Sequence, residues 1–344
     1  MFDDGDELFD LPRAPRSREP VDLVVKLRAQ TMRLDHYLAG NFTEYSRSEI
    51  QRAIEAGAVT VNDKPTKPGY KVRCGDRVRI LLPEPTHDLP QPEDIPLEIL
   101  YEDEVLALIN KPPDMVVHPA KGNWSGTLVN ALQFHFNDLS PVNGEFRAGI
   151  VHRLDRDTSG VILIAKEEHT HRALAAQFEQ RTIFKEYVAL TQGELDRDSD
   201  YIEAPIRHHP YDRVKMAVTT PADPEGKEAC TYYEVAERFR GFTFVRVQPK
   251  TGRTHQIRVH LASVGCPVLA DKVYSGRDSL YLHEIAPKLD PAQDELLISR
   301  QALHAWRLRF RHPRRGEWLE VEAPLPQEMA RTLVALRQHC RPRH

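Results

Sequence analysis

The sequence predicts a protein of the α+β class with two domains. The chain has 344 residues, which is more than a single hydrophobic core usually supports. Apolar runs of strand length, such as residues 161–165 and 242–249, lie between segments in which apolar residues recur at helical spacing. Hydrophobic residues make up 40% of the chain, and no apolar run in the sequence is long enough to cross a membrane.

The composition argues against several classes of protein. The N-terminal residues are acidic and contain no basic stretch followed by an apolar core, so no signal peptide is expected. The four cysteines are far apart and form no CxxC pair, which argues against a thiolate metal site and a disulfide framework. The sixteen histidines are scattered without ligand spacing, which argues against a metal-dependent hydrolase. We expect a soluble, cytoplasmic, metal-free protein, and a monomer because no coiled-coil repeat is present.

Charge is unevenly distributed, although the net charge is only −4. Residues 1–21 hold six acidic and three basic residues, and residues 22–83 hold eleven basic and seven acidic residues. Residues 84–104 hold eight acidic residues and no lysine or arginine. A basic module therefore lies between an acidic tail and an acidic connector, as expected of a surface that faces phosphate groups.

The N-terminal part of the chain predicts a tail followed by a small domain. Residues 1–20 are polar and acidic without periodicity, which indicates a disordered tail. Residues 21–83 predict a small α+β domain, whose first helix places Leu34, Tyr37 and Leu38 on one face.

A second helix and two strands complete the predicted small domain. The helix begins at a capping box of Ser46 and Glu49 and ends at Gly57. Its buried stripe is formed by Ile50, Ala53 and Ile54. A strand pattern near residue 60 is followed by a last strand that points Val78 and Ile80 inward.

This domain resembles the RNA-binding fold named after the small-subunit ribosomal protein S-four. The resemblance rests on Arg33-Leu34-Asp35, Ser46-Arg47, the run from Gly57 to Asn62, and Gly75-Asp76. It implies that RNA binds mainly through its phosphates, with an affinity that falls as salt rises. The expected RNA-binding residues are Arg33, Arg47, Arg52, Lys71 and Arg77. The alternative is an ordinary small domain with a solvated charged face.

Residues 84–97 are rich in proline and acid, which predicts an extended linker to a second domain over residues 98–344. This domain should begin with a buried strand at residues 106–109. A second short strand is predicted at residues 115–117, and a helix should begin at Thr127.

The most informative stretch of the second domain is the charged run from His152 to Gly160. It lies between the apolar residues 149–151 and 161–165, a pattern that predicts strand, loop, strand. Loops held between strands often display catalytic side chains, and Asp155 is the candidate here. The alternative is a polar turn in which an arginine and an aspartate form only a surface ion pair.

The residues after this run predict a helix from about residue 167 to 180 and a strand over residues 183–191. In the strand, Tyr187 should point away from the face that carries Phe184, Val188 and Leu190. It could then line a cleft, or it could cover the edge of the sheet.

The following segment is polar, and we expect an exposed loop in which Arg213 and Lys215 could touch the RNA backbone. A strand over residues 242–249 then turns at Thr251-Gly252 into another helix. The apolar stripe of that helix is predicted to be Ile257, Leu261 and Val264, with Arg253, His255 and Arg258 on its other faces.

Residues 276–300 are a charged insertion whose structure the sequence leaves open. Closing strands are expected at residues 303–310 and 318–321, and a last helix from about residue 328 to 340.

Four stretches, taken together and in this order, resemble the pseudouridine synthases of the RluA family. They are His152-Arg153-Leu154-Asp155, Lys185-Glu186-Tyr187-Val188, the run from Thr251 to Arg258, and Ala302-Leu303-His304-Ala305. The resemblance spans about residues 97–326. It implies a mixed, largely antiparallel sheet with flanking helices and a central cleft. The N-terminal module points to the RluD-like branch, which acts on large-subunit ribosomal RNA.

The resemblance implies an isomerase that needs no cofactor. Asp155 would be the catalytic carboxylate that attacks the sugar, or acts on the base or sugar in competing proposals. Its partner would be Arg258, with Arg253 as the second choice. Tyr187 would stack on a uridine flipped out of its helix, and Arg153 would help stabilise the vacated space. The further substrate-binding residues implied are Arg253, His255, Arg213 and Lys215.

One alternative function remains open from the sequence. A non-catalytic RNA-binding or ribosome assembly protein would share the basic module, but it has no need for an aspartate, a tyrosine and an arginine around one cleft. The sequence does not specify which uridines are modified, because loop shape and RNA folding decide that.

Overall fold

The computed structural model describes residues 20–42, 45, 47–82, 90–119, 123–136, 139–142, 148–212 and 214–341. Most of the predicted tail, part of the predicted linker and Ser46 lie outside these residues. The chain divides into two compact units, Met1–Asp94 with His118–Gly149, and Ile95–Val117 with Ile150–His344. Among the helices in the described ranges, none is long and apolar enough to span a bilayer.

The first unit contains a small antiparallel sheet and three helices within the described residues. Its elements are β1 (Val21–Val24), α1 (Leu34–Asn41), α2 (Arg47–Glu55), β2 (Val59–Val61), β3 (Lys64–Pro65), β4 (Arg77–Ile80) and α3 (Leu128–His135), with a 3₁₀ turn at Leu27–Ala29. The strand order is β1-β4-β2-β3. The Thr127 side chain caps α3 by accepting a hydrogen bond from the Asn130 backbone.

The core of this sheet confirms the predicted spacing of apolar residues. Leu34 and Leu38 of α1 and Ile50 and Ile54 of α2 are buried with the inward side chains of the strands. β4 alternates between exposed arginines and buried aliphatic residues, as predicted. Gly57 lies just beyond α2 at a φ of +80°, a conformation that glycine adopts without strain.

The second unit is built around a larger sheet. Its strands are β5 (Glu98–Glu102), β6 (Leu106–Lys111), β7 (Ser159–Ala165), β8 (Phe184–Gln192), β9 (Ser199–Glu203), β10 (Ile206–His208), β11 (Met216–Val218), β12 (Cys230–Phe239), β13 (Phe242–Pro249), β14 (Leu280–Tyr281), β15 (Leu296–Ile298), β16 (Leu303–Arg311) and β17 (Trp318–Glu322). Its helices are α4 (Glu168–Glu179), α5 (Gln256–Ser263), α6 (Leu282–Ile285) and α7 (Gln327–His339), with a 3₁₀ turn at Pro291–Gln293.

The large sheet is mixed and largely antiparallel, which confirms the predicted fold class. Its order is β5-β6-β7-β16-β8-β13-β12-β9, and β17 pairs with residues 307–311 of β16 outside this order. The pair of β7 and β16 is parallel, whereas the other strand pairs of this sheet are antiparallel within the described residues. Every residue of β7 is buried, as expected for a central strand covered on both faces.

Four sequence predictions for this unit were wrong. Residues 149–151 form no strand, because Ile150 makes only an isolated bridge to Ile164. Residues 115–117 form no strand either, since the chain there bends around a buried lysine. Residues 206–208, predicted to be part of an exposed loop, instead form β10, which pairs with β11. Val264, predicted to be buried, is 45% exposed just beyond the end of α5.

Candidate active site

The loop of residues 152–159, which we call the Asp155 loop, is anchored at its start by His152. The Nε2 atom of His152 accepts a hydrogen bond from the Leu163 backbone in β7 at 2.9 Å. The imidazole also stacks on Phe178 of α4, with ring centroids 4.7 Å apart. Burial, assisted by the charge of Lys185, lowers the pKa of His152 to about 3. The ring is therefore a neutral acceptor, and its role is to hold the loop.

The loop leads into β7, whose second residue, Gly160, passes very close to β16. Gly160 has a φ of +115°, and a Cβ atom built on it would lie 2.1 Å from the carbonyl oxygen of Ala305. Ala305 is the register partner of Gly160 on one side and of Tyr187 on the other. This close approach therefore places the end of the Asp155 loop in the same row of the sheet as Tyr187.

A buried lysine supports the middle of the loop. The ammonium group of Lys111 donates to the carbonyl oxygens of Pro112 at 2.6 Å, Met115 at 2.9 Å and Arg156 at 2.9 Å. Burial lowers the pKa of Lys111 to about 7, and the charge of Arg300 adds to this effect. Three carbonyl acceptors match the three donors of an ammonium ion. Lys111 thus links the end of β6 to the peptide that follows Asp155.

Two side chains before and within β16 support the last residues of the loop. Gln301 donates to the hydroxyl of Thr158 at 2.7 Å, and the hydroxyl of Ser159 lies 2.9 Å from Nδ1 of His304. These contacts are buried, so the backbone after Asp155 is held on several sides.

Asp155 forms an ion pair with Arg258 of α5. The Nη1 atom of Arg258 donates to Oδ2 of Asp155 at 3.0 Å. The same guanidinium donates through Nε at 2.6 Å and through Nη2 at 2.8 Å to the two carboxylate oxygens of Asp271. Side-chain exposure is 23% for Asp155, 6% for Arg258 and 0% for Asp271. The arginine is thus buried between two carboxylates, and only Asp155 is open to solvent.

The two carboxylates determine the charge state of the arginine. Burial by itself would lower the pKa of Arg258, but the hydrogen bonds and charges of Asp271 and Asp155 raise it above its usual value. Asp271 is held in turn by the backbone N–H groups of Val273 and Tyr274, at 3.0 Å and 3.3 Å. The Tyr274 ring lies beneath the guanidinium, 5.1 Å from its Cζ atom to the ring centroid. Asp271 and Tyr274 therefore orient the arginine toward Asp155.

His255 lies at the edge of this group. It has a φ of +55°, in the left-handed region, immediately before α5. Its Nε2 atom is 3.9 Å from Asp155, too far for a hydrogen bond, and its Nδ1 atom is 3.0 Å from the hydroxyl of Tyr274. Burial lowers the pKa of His255, while the charge of Asp155 opposes this change. A left-handed non-glycine residue is often found at a functional site.

Tyr187 lies in the middle of β8 and is partly buried against the core of the unit. Burial raises the pKa of its phenol, and the charge of Asp155 raises it further. Gly160, which follows the Asp155 loop, and Tyr187 lie in one row of the sheet through their shared register partner Ala305. The neighbouring Glu186 makes different contacts, with Arg307 and Gln248.

The remaining residues predicted for this site do not all converge on Asp155. Arg153 is exposed on the loop. Arg253 donates from Nε to the carbonyl oxygen of Glu228 at 3.0 Å. Between the two candidate arginines, therefore, Arg258 is the one paired with Asp155. Lys215 lies in the hairpin between β10 and β11, and Arg213 lies outside the described residues.

In the small domain, the five predicted RNA-binding residues differ in their contacts. Arg33 and Arg47 are half exposed, and both bind the buried carboxylate of Asp35, at 3.0 Å in each case. The other three, Arg52, Lys71 and Arg77, are exposed. Burial alone would raise the pKa of Asp35, but hydrogen bonds from Arg33, Gln51 and Arg47 hold it well below its usual range. Asp35 therefore orients two of the five cations.

The sequence analysis did not identify Asp271, Tyr274 and Lys111 as parts of the site. Lys111 follows a buried strand, and a lysine there needs acceptors. Asp271 and Tyr274 are three residues apart in a segment with no regular pattern. A buried arginine such as Arg258 requires a second carboxylate, but its position could not be predicted without the fold.

Comparison with known proteins identifies the family. The model of the family described as RNA pseudouridylate synthase matches residues 105–263, and the S4 domain model matches residues 32–78. An uncharacterized RNA pseudouridine synthase, YlyB of Bacillus subtilis (strain 168), is 40% identical over 319 residues. These residues cover 93% of this chain and 99% of that protein. The chain belongs to the RNA pseudouridine synthase family.

Other relatives agree with this assignment. The ribosomal large subunit pseudouridine synthase D of Nitrosomonas europaea (strain ATCC 19718 / CIP 103999 / KCTC 2705 / NBRC 14298) is 43% identical over 92% of this chain and 88% of that protein. The solved structure of human RNA Pseudouridylate Synthase Domain Containing 4 covers 70% of this chain and 93% of its own, with 24% identity and a TM-score of 0.51. The latter supports the fold. The two resemblances predicted from the sequence, to pseudouridine synthases and to S4 domains, are thus confirmed. Family membership also makes this chain an enzyme and argues against the non-catalytic alternative.

Proposed function

We propose that this pseudouridine synthase isomerises uridines of large-subunit ribosomal RNA, with Asp155 as the catalytic carboxylate. The substrate is inferred from relatives named ribosomal large subunit pseudouridine synthase D, which are about 40% identical over most of the chain. The S4 domain supports an RNA substrate, since its exposed arginines and lysine can bind phosphates.

The proposal rests on the ion pair of Asp155 and Arg258, in which Arg258 also donates two hydrogen bonds to Asp271. A carboxylate that reacts must be ionised and must stay in one place. The arginine places a positive charge beside the Asp155 carboxylate and is itself fixed by two hydrogen bonds to Asp271. The exposure of Asp155 leaves one side of the carboxylate accessible to a substrate.

The chemistry requires no oxidant and loses no group from the RNA. The bond from the sugar C1′ to N1 of uracil breaks, and a bond from C1′ to C5 forms. The proton on C5 leaves, and N1 gains a proton. Asp155 would act at C1′ as a nucleophile or assist the base or sugar by another route, and both possibilities need the same carboxylate.

The uridine must leave its helix to reach Asp155, because C1′ and C5 are inaccessible in a stacked base. Tyr187 would then stack on the extruded uracil, and its raised pKa keeps the phenol neutral at the pH of the cell. Arg153, exposed on the loop two residues before Asp155, would stabilise the space left in the RNA.

The experiment uses ribosomal RNA labelled with tritium at C5 of uridine, because isomerisation releases that label. The wild-type protein should release tritium from large-subunit RNA, and Asp155→Asn should release none above background. Asn keeps the shape of the side chain and removes its charge, so circular dichroism should show an unchanged fold. Release from small-subunit RNA alone would show that the proposed substrate is wrong. An Asp155→Asn variant with the wild-type rate would show that the carboxylate assignment is wrong.

A further inference from the structure

A second cation, Arg300, is largely buried and contacts the Asp155 loop from the segment just before β16. Its Nη1 atom donates to the carbonyl oxygen of Asp157 at 3.0 Å, and its Nη2 atom donates to the hydroxyl of Ser159 at 3.1 Å. Its side chain is 9% exposed. We propose that Arg300 is a positioning residue, which acts on the reaction by holding the loop that carries Asp155. This inference rests on the proposed role of Asp155.

The two buried cations contact successive peptide groups of the loop. Lys111 binds the carbonyl oxygen of Arg156, and Arg300 binds that of Asp157. These are the first two carbonyls after Asp155 itself. Fixing both limits rotation of the backbone next to Asp155, so the carboxylate keeps its distance from Arg258. A displacement of about 1 Å at a reacting group can cost about 100-fold in rate.

The geometry of the Arg300 contacts requires a guanidinium group. Nη1 also donates to the carbonyl oxygens of Gln301 at 3.1 Å and Leu303 at 3.3 Å. Nε and Nη2 both bind Oε1 of Glu328 in α7, at 2.9 Å and 2.5 Å. The ammonium group of a lysine has its three donors on one atom, so it cannot reach these partners, which lie along different edges of the planar guanidinium. Arg300 therefore connects α7 and the start of β16 to the Asp155 loop.

A cavity of about 480 Å³ borders this guanidinium and also Asp157 and Lys272. Arg331 of α7 lines the same cavity, but it is exposed and its Nη2 atom donates to the carbonyl oxygens of Leu296 and Leu297. Within the described residues, it forms no hydrogen bond or ion pair with the Asp155 loop. Arg331 is thus a matched control for Arg300, with the same side chain and the same type of acceptor.

The first experiment compares Arg300→Gln, Arg300→Lys and Arg331→Gln on an RNA that the wild-type protein modifies. Single-turnover rates with saturating enzyme report the chemical step, and a separate titration gives the Kd for RNA. We expect both Arg300 variants to react about 10- to 100-fold more slowly, with Kd within about twofold of wild type. Arg331→Gln should keep the wild-type rate. An Arg300→Gln rate within twofold of wild type would overturn the proposal.

A second comparison separates positioning from stability. Removing Arg300 alone leaves the carboxylate of Glu328 without its partner, which could destabilise the unit or prevent folding. The double variant Arg300→Gln/Glu328→Gln leaves no charge unpaired there, so it restores stability but not the hold on the loop. The rate should remain low in the double variant. Recovery of the wild-type rate would mean that Arg300 acts through stability alone, and the proposal would be wrong.

Chemical rescue gives a third readout. Methylguanidinium chloride can enter the cavity and occupy the place of the missing group in Arg300→Ala. We expect it to raise the single-turnover rate of this variant at least about fivefold over an equal concentration of sodium chloride, and to leave Arg331→Gln unchanged. No increase over the sodium chloride control would count against a direct hold by the guanidinium.

Asp155→Asn is assayed in parallel, so that two kinds of failure can be told apart. If that variant is active, the proposed function has failed. If it is inactive while Arg300→Gln is as fast as wild type, the function holds and the role of Arg300 is wrong.

Discussion

Replacing Asp271 with asparagine tests whether Arg258 depends on a second carboxylate. The substitution preserves the size of the side chain and keeps Oδ1, which accepts from the backbone N–H groups of Val273 and Tyr274 and from Nη2 of Arg258. It removes the charge and places an amide N–H₂ group where Oδ2 accepts from Nε of Arg258. The guanidinium then has Asp155 as its remaining carboxylate partner among the described contacts.

Two estimates of the free energy of unfolding lost in Asp271→Asn agree. Removing one partner of a buried ion pair costs about 3–5 kcal/mol. Losing the charge-assisted hydrogen bond from Nε costs about 1.5–3 kcal/mol, and a neutral acceptor weakens the bond from Nη2 by about 1–1.5 kcal/mol, which together give about 2.5–4.5 kcal/mol. For a folded unit of about 150–250 residues, 1 kcal/mol shifts Tm by about 2–4 °C, so we expect a loss of about 6–20 °C. Asp271 has no exposed side-chain area, so solvent cannot offset this loss.

The rate should fall as well, because Arg258 loses the contacts that aim Nη1 at Asp155. We expect a single-turnover rate about 100-fold lower at 25 °C, where the variant is still folded. The control is Asp278→Asn, an exposed aspartate seven residues later, whose unfolding free energy should change by less than about 0.5 kcal/mol. Calorimetry and tritium release measure the two effects. If Asp271→Asn had the Tm and the single-turnover rate of the wild type, Asp271 would not be the residue that orients Arg258.

Two further predictions concern the anchors of the Asp155 loop. Gly160→Ala should destabilise the protein by about 1–3 kcal/mol more than Gly241→Ala, since both glycines have positive φ but a Cβ atom collides with Ala305 only at Gly160; equal Tm losses in thermal unfolding would contradict this. His152→Gln should remove part of the loss of stability at low pH. In the unfolded protein His152 takes up a proton below about pH 6.5, whereas in the folded protein, where its pKa is about 3, it does not. The stability advantage of wild type over this variant should therefore shrink by about 1.4 kcal/mol per pH unit between pH 6.5 and 4 in urea titrations, and a constant difference would show that the histidine is not buried as a neutral acceptor.

The sequence alone determined the local elements and the family. The helices α1, α2 and α4 and the strand β13 follow from apolar spacing and from their terminal residues, which act over a few positions along the chain. The order of the four stretches around Asp155, Tyr187 and Arg258 was sufficient to predict the family that the comparisons then confirmed. These signals are local or sequential, so they need no knowledge of the fold.

Other features depended on tertiary contacts. Residues 115–117 read as a strand, but the buried ammonium of Lys111 takes the Met115 carbonyl and bends the chain. The choice between Arg253 and Arg258 could not be made from spacing, because both arginines lie near the start of the same helix.

Only the fold decided that Arg258 pairs with Asp155. Its guanidinium is buried between Asp155 and Asp271, 103 and 13 residues away along the chain, whereas Arg253 donates to a backbone carbonyl. A buried cation is stable only where opposite charges and acceptors surround it. Those partners come from separate segments, and the packing of the sheet and α5 brings them together.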